Sequence, residues 1–96
     1  MQLNRKLSKI LKGRTIQAES GDEGQVTITF DDQSTLKLKV VGQATIPVGA
    51  KVKAVRESGA GFQLNLEGAP PVRVRLVEPG SSVALRDRND AVEYLG

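Results

Sequence analysis

The chain has 96 residues, 39% of them hydrophobic and 26% charged, which is enough for one hydrophobic core and predicts a single domain. It contains no cysteine and no histidine. Disulfides, thiolate metal sites and cysteine nucleophiles are therefore excluded, and the commonest general base and metal ligand is missing. We predict no cofactor and no metal site. Only three residues are aromatic, so the core is expected to be aliphatic.

No segment approaches the roughly 18 consecutive apolar residues that a membrane-spanning helix needs. The first eleven residues carry charges throughout, unlike the apolar region of a secretory signal peptide. The sequence therefore predicts a soluble protein without a membrane span, and a cytoplasmic location.

Residues 1–12 have the spacing of a short, basic, amphipathic helix. One apolar stripe at helical spacing contains Leu3, Leu7, Ile10 and Leu11. Asn4 can cap this helix and Gly13 can end it, while Ser8 is expected to face solvent. Three turns are marginal in isolation, so the stripe is expected to pack across one end of the β structure. A second subunit or an anionic membrane surface are the alternative partners of the stripe.

From residue 13 onward the hydrophobic period changes from 3.6 to two. Three runs of alternating residues are separated by turn-forming stretches at 20–24 and 31–34. This pattern predicts a meander of three half-buried strands in residues 13–42.

The same pattern returns 36 residues later, in residues 49–78. A shift of 36 without a gap aligns Val26 with Phe62 and Leu38 with Val74. We interpret the second meander as a tandem repeat of the first. The alternative is that any two meanders with similar turn lengths would align in this way.

Two further segments complete the chain. Gly42–Val48 connects the two units and contains a proline, so it is expected to be an edge strand or a crossing loop. Residues 79–96 have the pattern of a closing hairpin with a charged tip. The predicted fold class is therefore all-β, a small barrel or two-sheet sandwich of two three-stranded meander units with one N-terminal helix.

No residues with a convincing catalytic arrangement are found. A serine nucleophile would need a lysine base in the absence of histidine. The adjacent acids Asp31–Asp32 and Asp22–Glu23 lie in predicted turns, where acidic residues are favoured for backbone reasons. The glycines of 57–62 join two strands and lack the lysine of a phosphate loop. We therefore predict that the protein is not an enzyme, with a small carboxylate-only enzyme as the remaining alternative.

Basic residues are unevenly distributed along the chain. Residues 1–14 contain five basic residues and no acid, whereas the other 82 residues contain nine basic and eleven acidic ones. Two further basic pairs share the outward faces of equivalent strands. The candidate nucleic-acid-binding residues are Arg5, Lys6, Lys9, Lys12, Arg14, Lys37, Lys39, Arg73 and Arg75. No aromatic residue alternates with them to stack on bases, and outward charges on strands are commonly only solvated.

The sequence therefore favours a non-catalytic binding or accessory module that acts through protein contacts. Its partner would be another protein or a second copy, joined through the helix stripe or an open strand edge such as Gly42–Val48. Nucleic-acid binding through the basic helix is the alternative.

Overall fold

The computed structural model describes all 96 residues and contains one short helix and nine strands. In chain order these are β1 (Gln2–Leu3), α1 (Arg5–Leu11), β2 (Ile16–Asp22), β3 (Gln25–Phe30), β4 (Thr35–Val41), β5 (Lys51–Ser58), β6 (Gly61–Glu67), β7 (Val72–Leu76), β8 (Val83–Arg86) and β9 (Val92–Leu95). The strands form a single antiparallel sheet in the order β1-β5-β6-β7-β4-β3-β2, and β8 and β9 extend from β4.

The sheet curls until the beginnings of β2 and β5 meet. The Ile16 N–H donates to the Ala50 carbonyl at 2.8 Å, and the Val52 N–H donates to the Arg14 carbonyl at 2.9 Å. The prediction of a small all-β, barrel-like fold with an N-terminal helix is confirmed.

Both meander units have the same internal strand pairing. Ile16 faces Phe30 in the first unit, and 36 residues later Val52 faces Leu66 in the second. The remaining pairs of the two β hairpins follow the same offset, and the register shifts directly after Ile16 and directly after Val52. The constant offset of 36 in the sequence is therefore also the offset between the two sets of strand registers.

Where the units meet, residues pair with their own counterparts. Thr15 pairs with Lys51 on one side, and Val40 pairs with Leu76 on the other. An antiparallel pair of equivalent residues is what an approximate two-fold axis between the units produces. The two units are therefore related by an approximate two-fold axis.

The core contains twenty buried hydrophobic residues from every part of the chain. Only Phe30 and Phe62 among them are aromatic, as the composition predicts. Leu7 and Leu11 of α1 are fully buried, so the helix stripe belongs to the core and is not free to dock a partner. The expectation that the stripe packs on the β structure is thereby met.

The helix is shorter than the predicted range 1–12. Asn4 accepts a hydrogen bond from the Leu7 N–H through its side chain at 3.0 Å, which makes it the N-cap. Helical geometry therefore begins only at Arg5. The two residues before the cap are extended and pair with β5, and Leu3 is 41% exposed. Its place in the predicted apolar stripe is corrected.

Ser8 is buried, contrary to the expectation that it faces solvent. Its hydroxyl accepts the Val55 N–H at 2.8 Å and donates to the Val55 carbonyl at 3.1 Å. The hydroxyl thus binds the outward N–H of a strand residue and shares its carbonyl with the Asn4 N–H.

Replacing Ser8 with alanine is expected to lower the free energy of unfolding by about 1–3 kcal/mol, because the buried Val55 N–H loses its partner, while the Val55 carbonyl keeps only the Asn4 N–H. Urea denaturation measures the change. The control is Lys9→Ala on the exposed face of the same helix, with an expected effect within about 0.5 kcal/mol. Equal effects of the two substitutions would contradict the structural role of the hydroxyl.

The connector Gly42–Val48 is a loop, so the edge-strand alternative for it is corrected. Pro47 has no N–H to donate to a ladder, and Ile46 is held in the core at 6% exposure. The predicted closing hairpin is present as β8 and β9, and β8 pairs with the first half of β4.

Candidate functional site

Four basic side chains on β4 and β7 form one continuous row, here called the basic band: Lys37, Lys39, Arg75 and Arg73. The sequence alone places them in two pairs on separate strands. In the structure Arg75 lies opposite Val41, and the Val77 N–H donates to the Lys39 carbonyl at 3.0 Å. This antiparallel register brings Lys39 and Arg75 together at the centre of the row.

The length of the basic band follows from strand geometry. Residues on the same face of a strand are about 7 Å apart, so three such steps give a band about 20 Å long. Lys37 and Arg73 lie at its two ends. All four side chains are exposed.

The residues that pair with Lys37, Lys39 and Arg73 on the adjacent strands β3 and β6 are neutral. On β3, Thr27 lies opposite Lys37 and Gln25 lies opposite Lys39. On the other side Gln63 accepts a hydrogen bond from the Arg73 Nε–H at 2.9 Å. None of the four basic groups forms an ion pair within the protein, since the two ion pairs present both involve Arg14. The positive charge of the band is therefore available to an external anion.

Two exposed valines interrupt the centre of the band. Val41 is 58% exposed and Val77 is 57% exposed, and they alternate with Lys39 and Arg75 on the same face. This arrangement offers apolar contact between cationic groups, which suits a ligand with anionic and apolar parts along its length.

The helix cations form a second, separate group: Arg5, Lys6, Lys9 and Lys12. The first three are exposed on α1 and Lys12 is exposed at its C-cap. The helix packs against β5, and β6 and β7 separate β5 from β4 in the sheet. The Lys6 ammonium lies 5.9 Å from the centre of the Tyr94 ring. The structure thus brings the strand cations together in one row, whereas the helix cations lie on a separate element of the fold.

Arg14 differs from the other candidates because its guanidinium is half-buried and paired with acidic side chains of the same chain. It forms two hydrogen bonds with the Glu93 carboxylate at 2.9 and 3.0 Å, lies 3.3 Å from an Asp32 oxygen, and donates to the Ser34 hydroxyl at 2.9 Å. The Glu93 hydrogen bond and the nearby carboxylates raise the pKa of Arg14 above its ordinary value, although burial opposes them. This side chain links the residues just before β2 to β9, and its charge is already paired within the protein.

The adjacent acids of the first unit have structural partners. Burial alone would raise the pKa of Asp32. Hydrogen bonds from Ser34 and the charge of Arg14 outweigh that effect and hold the pKa below its ordinary value. Asp31 accepts the Thr15 N–H at 3.2 Å. The Asp32 carboxylate therefore stabilises the β3–β4 turn, as its position in the sequence indicates, and the Asp31 carboxylate links the end of β3 to the residues just before β2.

The structure shows no other kind of site among its polar side chains. It holds no group of three or more acidic side chains arranged for a metal ion, and every buried polar side-chain atom has a hydrogen-bond partner. No helix is long and apolar enough to cross a membrane.

Fold and site define a small, all-β, barrel-like domain with a basic band on its outer face. Comparison with known proteins found no matching family model, no similar curated protein and no similar solved structure.

Proposed function

We propose that the protein is a small, non-catalytic binding module whose basic band contacts the phosphate backbone of nucleic acids. The observation that carries this proposal is the β4–β7 register, which aligns four unpaired cations into one row. Phosphates are the anions that repeat at comparable spacing along a polymer, and cationic side chains supply most non-specific affinity for them.

The composition of the band indicates what kind of binding to expect. No aromatic residue lies among its cations, so bases have no stacking platform. Contacts to phosphates carry no direct sequence information. The module is therefore proposed to bind with little sequence preference, with affinities in the micromolar range.

The test is fluorescence anisotropy of a labelled 20-mer, as single-stranded and duplex DNA and as RNA, at several salt concentrations between 50 and 200 mM. Four phosphate contacts predict a slope of log K against log salt of about −3.6 for duplex DNA and about −2.8 for single strands. Absence of binding at 50 mM salt would overturn the proposal.

Charge reversal distinguishes the band from the helix. The pair Lys39→Glu and Arg75→Glu lies at the centre of the band, and the pair Lys6→Glu and Lys9→Glu makes the same change in net charge on α1. The first pair is expected to weaken binding at least tenfold and the second less than threefold. A larger loss from the helix pair would place the interface on α1.

We further propose how the two units arose and where the protein is located. The constant 36-residue offset of the strand registers supports an origin of the two units by tandem duplication. A chain without cysteine, which needs no disulfide for its stability, fits the reducing cytoplasm.

A protein partner is the second candidate, favoured by an observation on a different surface. The outer edge of β2 has no neighbouring strand beyond its first residues. An unpaired strand edge is a template for adding a strand from another chain.

A further inference from the structure

The two-fold relation between the units makes the edges of β2 and β5 equivalent, but only one of them is occupied. β1 pairs with β5, where Gln2 faces Glu57 and Leu3 faces Arg56. The Asn4 N–H continues this contact by donating to the Val55 carbonyl at 2.8 Å. No segment of the chain pairs in this way with residues 17–22 of β2.

Glu19 shows the difference between the two edges most clearly. It is the counterpart of Val55 at the offset of 36, because it faces Ile28 as Val55 faces Leu64. In antiparallel pairing, alternate residues direct their N–H and carbonyl groups away from the neighbouring strand. The outward groups of Val55 are bound by α1 and its cap. Those of Glu19 lie at the free edge, and Glu19 is exposed.

A groove runs along this free edge. Its volume is about 910 Å³, and it lies between the β2–β3 hairpin and the first residues of the connector. Buried Val26 and Val40 contribute to its lining, with the acidic side chains of Glu19, Asp22 and Glu23. The equivalent groove beside β5 is smaller, about 530 Å³, and Met1 and Gln2 are part of its lining.

We propose that the β2 edge and its acidic groove bind an extended, lysine- or arginine-containing segment of a partner protein by strand addition. The occupied edge shows the binding mode, since β1 adds to β5 as a short antiparallel strand. The three carboxylates supply the charge preference. They also disfavour phosphate, so this site is distinct from the basic band.

A second copy of the chain is a poorer occupant than a basic segment. Pairing two β2 edges with each other would place the carboxylates of Glu19 and Asp22 from both copies along one junction. Like charges facing each other across strands are destabilising. The acidic edge therefore acts against self-association and in favour of a cationic partner.

The probe for this site is the acetylated peptide Gly-Gln-Leu-Asn-Arg-Lys. It copies the segment that occupies the β5 edge, with glycine in place of Met1. Met1 lies against Gly61, which has no side chain. The residue equivalent to Gly61 in the first unit is Gln25, whose side chain would take the space that a methionine in the peptide needs. Titration into the full-length, nitrogen-15-labelled protein is followed by amide chemical shifts. Saturable shifts confined to residues 17–26 and 42–44 are expected, with a Kd of hundreds of micromolar.

Two variants and one control make the test decisive. The backbone groups of Gly21, like those of Glu19 two residues earlier, point away from β3. Gly21→Pro therefore removes an N–H at the free edge without removing a hydrogen bond to β3. The charge variant joins Glu19→Lys to Asp22→Lys, and its matched control joins Glu67→Lys to Glu78→Lys, both exposed. Each of the first two is expected to weaken peptide binding at least tenfold, and the control less than twofold.

Three results would overturn the proposal. The first is no shift at β2 with 2 mM peptide. The second is shifts at β5 and α1, which would mean that the peptide displaces the chain's own first residues. The third is concentration-dependent dimerisation through β2 in the absence of peptide, measured by analytical ultracentrifugation. Because Gly21→Pro changes no charge and leaves the basic band unaltered, nucleic-acid binding by that variant reports separately on the proposed function.

Discussion

Replacing Leu7 with alanine is expected to lower the free energy of unfolding by about 2–5 kcal/mol, a large part of the stability of a domain of this size. Leu7 is fully buried and belongs to a helix of only seven residues, which cannot persist without its packing. Removing its side chain leaves a cavity at the contact between α1 and β5. Chemical denaturation followed by circular dichroism measures the change.

Two companion variants separate packing from charge at this helix. Leu3→Ala shortens an exposed side chain of β1 and is expected to cost less than about 1 kcal/mol, since little apolar area is lost. Leu7→Asp leaves a buried carboxylate without a partner and is expected to prevent folding at 25 °C. If Leu7→Ala were as mild as Leu3→Ala, α1 would not be part of the core.

The alternation of apolar residues was sufficient to predict most of the sheet. Runs such as Val26, Ile28 and Phe30 face the core as expected, because the side-chain period of a strand is exactly two. The 36-residue offset also predicted which strands correspond. Both the alternation and the offset are local or periodic properties, so a single sequence is sufficient to detect them.

The long-range register could not be predicted from the same patterns. Nothing in the spacing of Lys39 or Arg75 indicates that β4 pairs with β7 over only two residue pairs. The basic band exists because of that pairing, so the sequence gives its members but not their alignment. The occupied edge of β5 was missed for a similar reason, since two residues of β1 are too few for a strand pattern.

Arg14 illustrates a further limit of reading local charge. Its position at the end of a run of five basic residues indicated a surface cation. Its partner Glu93 lies 79 positions away, and no local pattern connects the two. Ser8 is a comparable case, because its partner Val55 is 47 positions distant. A polar residue on a helix is expected to be solvated unless a distant strand supplies its partners.

Replacing Arg14 with methionine is expected to lower the free energy of unfolding by about 2–3 kcal/mol. This lies between the small value of exposed ion pairs and the larger cost of breaking buried ones. The side chains of Arg14 and Glu93 are 18% and 25% exposed, and their two parallel hydrogen bonds form the stronger, bidentate kind of pair. The Asp32 contact contributes less, because that side chain is 47% exposed. Urea denaturation at low and high salt measures the loss.

A double-mutant cycle assigns that loss to the pair. Glu93→Gln is expected to be destabilising alone but to add little in the Arg14→Met background, which gives a coupling energy of more than about 1 kcal/mol. Arg88→Met, at the exposed tip of the β8–β9 hairpin, is the control and is expected to change stability by less than about 0.5 kcal/mol. Additive effects of Arg14→Met and Glu93→Gln would contradict a direct link. A destabilising Arg14→Met that is coupled to Glu93 would mean that the guanidinium stabilises the contact between the residues just before β2 and β9. Strand β9 pairs with β8, and β8 pairs with the part of β4 that contains Lys37. The ion pair therefore supports the position of one end of the basic band.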